Sequence, residues 1–199
     1  MTLVTYPNYA LGIIIRPSRT VRNLLENPNR LKIGLFGVLT LGILYSISCL
    51  IGYAQGIHPT GAWLNIPLES YYLYEGIFMI PVALTSWLLM GCVIYFMLPR
   101  THLRFEDVLG VIGLPYGILV LPFMWLPEII VTIGFPHLWG SDPLWLTIEP
   151  IRIALGTIWI YLVCALSVKE LYRISWSRAL AVTLVGVAVA GGFSAIFIR

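Results

Sequence analysis

Three charged residues stand at the outer ends of apolar blocks, none clearly at a bilayer centre: Glu75, Glu149 and Arg152. Glu75 falls about one helical turn inside an apolar block. Glu149 and Arg152 stand three apart, a spacing at which a helix can pair them. An ionised group at the bilayer centre costs ~2.5–3.5 kcal/mol on insertion scales, so such residues are candidates for function. Together they suggest an outward-facing polar pocket able to hold a cation or a lipid headgroup. The plainer alternative is interfacial groups that reach water, plus a structural ion pair.

No other constellation points to chemistry. His58, His102 and His137 stand alone in segments between apolar blocks, and the chain has no HExxH, GxSxG or Walker-type phosphate loop. Cys49, Cys92 and Cys164 each lie inside an apolar block, neither paired nor spaced as a CxxC motif, and read as buried thiols. The expectation is therefore no catalytic residue, no metal, no cofactor and no enzymatic activity. The formal charge of +3 is small and lacks the basic, aromatic-interleaved stripe of a nucleic-acid binder.

The elements that would position these groups follow from hydropathy. With 59% hydrophobic and 11% charged residues over 199 positions, the chain is too apolar for a soluble domain. Five apolar blocks, approximately 33–53, 74–98, 108–126, 151–167 and 179–198, are long enough to cross ~30 Å of hydrocarbon. Lipid cannot satisfy backbone polar groups, and the blocks are continuous rather than alternating, so they are helices. The fold class is an all-α integral membrane protein: a cytoplasmic segment 1–32 followed by a five-transmembrane-helix bundle, 33–199. Pro115, Pro122 and Pro127 punctuate the third block, which is expected to kink or to end near Leu126. Residues 127–140 then read as interfacial or re-entrant, with continuation of the span as the alternative.

Charge sets the expected orientation. Arg16, Arg19, Arg22, Arg30, Lys32, Arg100, Arg104, Lys169, Arg173 and Arg178 flank one side, leaving Arg152 and Arg199 on the other. By the positive-inside rule the N-terminus is cytoplasmic and the C-terminus outside. The corresponding membrane is the cell membrane in a prokaryote and an endomembrane in a eukaryote. Trp63, Tyr71, Tyr72, Tyr74, Trp125, Trp139 and Trp145 on the outer side read as a headgroup-level aromatic belt.

Before the first span, Pro17 to Pro28 reads as an amphipathic helix, with Val21, Leu24 and Leu25 on one face. It either lies on the headgroups, with Arg16, Arg19 and Arg22 against anionic lipid, or packs under the bundle. Span five carries Gly186, Ala190 and Ser194 at four-residue spacing, a helix-packing face of small residues, and Gly42, Ser46 and Cys49 form a similar face on span one. Thr85-x-Trp87-x4-Cys92 recurs as Thr157-x-Trp159-x4-Cys164, which is compatible with duplication of a two-helix hairpin.

Three segments carry a resemblance: IIIRPSRTVRNLLENP with Pro17, Thr20 and Pro28; FEDVLGVIGLPYG from Phe105 to Gly117; and VKELYRISWSRALAV from Val168 to Val182. On these the chain resembles the Yip (Ypt/Rab-interacting protein) family of five-span membrane proteins, and its short pre-span segment looks like the compact prokaryotic-type members. The resemblance implies a non-enzymatic membrane-organising, trafficking or scaffold component. Its expected partners are the lipid bilayer and a membrane protein or a second copy; binding of a small GTPase is implied by the resemblance alone. The alternative reading is a small transporter or an accessory subunit of a transport complex.

Overall fold

The computed structural model describes residues 5–59, 66–99, 103–135 and 143–197. Among these, regular structure is entirely helical. Helix α1 is Thr5–Ile15, α2 Pro17–Glu26 and α3 Arg30–Ala54; a short turn, Leu68–Ser70, leads into α4, Tyr71–Met97. Then come α5 (Phe105–Ile118), a π-helical turn (Leu121–Trp125) and α6 (Leu126–Gly134), followed by α7 (Pro143–Tyr172) and α8 (Trp176–Phe197). Five stretches are long and apolar enough to cross a membrane: Arg30–Ala54, Leu68–Met97, Phe105–Gly134, Thr147–Tyr172 and Trp176–Phe197. Most outrun the apolar blocks, because hydrogen bonding carries a helix past the hydrocarbon edge that hydropathy marks.

The third span departs most from expectation. Of the alternatives, the helix takes continuation: it passes Leu126 and runs on to Gly134 as one apolar stretch. Pro122 and Pro127 lack the N–H of an ordinary turn, and the wider π turn between them takes up the mismatch without a break. Residues 136–142, and with them His137, Trp139 and Asp142, lie outside the described residues, as do Trp63, Arg100, His102, Arg199 and the Trp145 side chain.

The bundle is built around the crossing of α3 and α5, which meet through glycine. A Cβ on Gly34 would lie 2.6 Å from the Gly110 carbonyl oxygen, and one on Gly113 would lie 2.8 Å from the Gly34 oxygen. A Cβ on Gly117 would overlap the Gly37 carbonyl outright. Lipid supplies no hydrophobic attraction between helices, so such backbone-to-backbone packing is a main source of association. Around this pair, α4 packs on α3, α7 on α5, and α8 closes the bundle against α4 and α7. Each long hairpin is tied by a side-chain donor: Trp87 Nε1 to the Leu109 oxygen at 3.1 Å, and Tyr161 Oη to the Leu180 oxygen at 3.0 Å.

The small face on α8 turns toward α4. Gly186 sits over Met90 and Ile94, Ala190 is buried, and the Ser194 and Ser86 hydroxyls meet at 2.7 Å. Another side of α8 stays open, since nothing approaches Gly191 within 4 Å. Two members of the expected aromatic belt point inward instead. Tyr71 is 1% exposed, and Trp125 donates to the Leu44 oxygen (3.1 Å) and to Ser48 Oγ (2.8 Å), pinning the π turn to α3. A buried indole or phenol needs a partner, and the neighbouring helix supplies one.

Candidate functional site

Opposite the basic rim, four helices bring polar side chains together inside apolar surroundings. Helix α4 carries Glu75 one turn from its start, 3% exposed. Helix α3 contributes Tyr45, Ser48 and Cys49, and α6 presents Glu128 directly after Pro127. From α7 come Glu149 and Arg152, paired at 3.8 Å between Oε1 and Nη2.

Arg152 is held by the third span. Its Nη1 donates to the carbonyl oxygens of Phe123 (2.9 Å) and Met124 (2.6 Å). The Phe123 carbonyl is the one that residue 127 would serve in a regular helix, and residue 127 is proline, with no N–H to give. A guanidinium on α7 therefore supplies the donor that the α6 backbone lacks. Substitution of Arg152 with Lys is expected to lower stability by about 1–2 kcal/mol, because an ammonium cannot match the planar fork on two carbonyls and a carboxylate together. Thermal unfolding in detergent checks this, and an unchanged midpoint would remove the strut.

Glu128 faces both Arg152 and the Tyr45 phenol. Glu75 shares the neighbourhood of Cys49 and Tyr72 with Glu128. Next to Glu128 lies a narrow cavity of about 20 Å³ lined by Ser48, Cys49, Tyr72, Glu128 and Thr132, room for roughly one water. The predicted trio is thus joined by a fourth charged residue. Glu149 and Arg152 pair, Glu128 sits next to Arg152, and Glu75 is linked to them through Tyr72, which lies near Glu75, Glu128 and Glu149. Sequence reasoning did not single out Glu128; an acid between a proline and an apolar run was its only signal. Among the described residues, no three His, Cys, Asp or Glu converge as metal ligands would.

The basic rim is organised by an ion pair that spacing alone did not reveal. Arg30 of α3 donates to Asp107 Oδ1 of α5 from Nη2 at 2.7 Å and from Nε at 3.2 Å, while its Nη1 holds the Leu25 oxygen at 2.7 Å. Asp107 Oδ2 accepts from the Arg104 backbone N–H at 2.9 Å, capping α5. Next to this pair, the apolar face of α2 packs into the bundle: Val21 and Leu24 are fully buried, against α5 and α7. Arg16, Arg19 and Arg22 stay exposed, with Arg22 at 3.8 Å from Glu170. Helix α2 therefore packs under the bundle by its apolar face, and its arginines point outward.

The three segments that carry the family resemblance meet here, in α2, in α5 with its glycines, and at the α7–α8 turn. A family model described as the Yip1 domain matches residues 11–198. No curated protein and no solved structure matches the chain. This is an integral multi-pass membrane protein, and with a match that leaves out only its extreme ends, the chain belongs to the Yip1 domain family.

Proposed function

We propose that this protein organises membrane, as a non-enzymatic scaffold or trafficking component working through helix–helix and lipid contacts. The carrying observation is α8, which packs on α4 and α7 with one face only. Its other face presents Leu184, Val185, Val189 and Ile196 along about 18 Å of helix. A partner helix or a second copy would lie along that face. Photocrosslinking from Val189 in native membranes is expected to capture another transmembrane chain. A bare monomer crosslinked to lipid alone would sink the scaffold reading.

In the orientation we infer from charge, the basic rim faces the cytoplasm, in the cell membrane of a prokaryote or an endomembrane of a eukaryote. A small GTPase, which only the family resemblance brings in, would dock on that rim.

The polar cluster favours one second reading, a small transporter or transport subunit. Buried Glu75 and half-buried Glu128, beside a water-sized cavity, are what a cation or proton path would use. Solute flux in reconstituted vesicles that is lost in Glu75→Gln would support it; no flux across ions and common metabolites would set it aside.

A further inference from the structure

Helix α1 is uncharged on both sides, with Asn8 exposed on its outward side, and this sets it apart from its neighbour. It buries Ile13 completely against the bundle, yet its outward face carries Leu11 at 59% and Ile15 at 70% exposure. No charged side chain lies between Thr5 and Ile15. Helix α2 follows after a single residue and also buries one face, but its outward side presents Arg19, Arg22, Asn23 and Glu26. The change from apolar to charged exterior falls at Arg16.

Side-chain contacts fix where α1 sits relative to the first span. The Tyr9 hydroxyl accepts from Asn27 Nδ2 at 3.1 Å, at the level of the basic rim. The Tyr6 ring packs on Phe36 with centroids 5.8 Å apart, and its hydroxyl meets Thr40 Oγ1 at 2.9 Å. Phe36 and Thr40 lie six and ten residues along α3 from Arg30, ~9 Å and ~15 Å of helical rise. The tyrosines therefore straddle the rim, one ring level with it and the other well inside. A helix bound at an interface buries its apolar face ~5–10 Å into the headgroup and acyl boundary, a depth that falls between the levels at which Tyr9 and Tyr6 of α1 are held.

We propose that α1 is a one-leaflet insertion: its outward face of Leu11 and Ile15 is covered by acyl chains of the leaflet at the basic rim. Arg16, Arg19 and Arg22 then stand at the phosphates of anionic lipids just above. The boundary between lipid and water runs between α1 and α2, and the molecule is wider in one leaflet than in the other. This extends the membrane-organising reading to the lipid side but does not depend on it, because depth is read whether or not a protein partner is captured.

The test uses the unmodified chain in vesicles of phosphatidylcholine and phosphatidylglycerol that contain a phospholipid with a photoactivatable carbene precursor in its acyl chain. After illumination and digestion, adducts are expected on the peptide with Leu11 and Ile15 and absent from the α2 peptide spanning Arg19 to Glu26. A water-borne carbene reagent in the same vesicles is expected to give the reverse pattern. Leu11→Glu with Ile15→Glu, both at exposed positions, is expected to lose the acyl adducts on α1 while those on α7 at exposed Leu155 and Ile158 persist, which shows that the bundle is still folded. Water-phase labelling of α1 as heavy as that of α2, acyl adducts on both helices alike, or crosslinks from Leu11 to a second copy in place of lipid would each overturn the insertion.

Discussion

Replacing Gly117 with valine is expected to prevent assembly of the bundle, with a loss of about 3 kcal/mol or more. The α3–α5 crossing is a contact of main chain on main chain. A first side-chain carbon at residue 117 would enter the Gly37 carbonyl, which no rotamer change can relieve. Gly113 and Gly110 face Gly34 and the Arg30–Leu31 peptide in the same way, so the helices cannot slide to make room. Separation would cost the close packing along the whole crossing, and lipid offers no compensating attraction. The control is Gly191→Val on α8, where nothing lies within 4 Å, and little change is expected. Unfolding midpoints in mixed detergent and denaturing surfactant would compare the two. Equal midpoints for Gly117→Val and the parent would mean that the crossing is looser than described.

The second large effect is expected at Asp107. Removal of one member of a buried ion pair leaves the other charge uncompensated, which costs ~3–5 kcal/mol. Asp107 is 8% exposed, while Arg30 is 25% exposed and keeps some contact with solvent. The expected loss for Asp107→Ala is accordingly at the low end, about 3 kcal/mol. That variant also strips the cap from the Arg104 N–H. Arg30→Met with Asp107→Leu should recover most of the loss, since a well-packed apolar pair can replace a buried ionic one. A double-mutant cycle on the same unfolding assay reads the coupling directly. Additive losses would show that the two side chains act independently despite their 2.7 Å contact.

Both predictions rest on residues whose importance hydropathy does not show. Gly34, Gly37, Gly110, Gly113 and Gly117 are ordinary members of apolar blocks, and the small-residue stripe on span five looked no less suited to packing. Only the crossing of α3 and α5 singles out the first set. Arg30 counted toward the basic rim and Asp107 belonged to a family-like segment, but they are seventy-seven positions apart in sequence.

The five apolar helices, their approximate positions, the basic and bare rims and the family were all legible in the chain. Each is a sum over local residues: transfer free energy along a window, or charge beside a window's end. The tertiary structure decided the rest. It joined Glu128 to the cluster of Glu75, Glu149 and Arg152, and it carried the third span through its prolines on a π turn braced by Arg152. It also seated Val21 and Leu24 in the bundle and left Leu11 and Ile15 facing outward. These outcomes depend on which helix faces which. In a bilayer that choice is made by close packing and by the need to satisfy each buried polar group, properties of pairs that no single window contains.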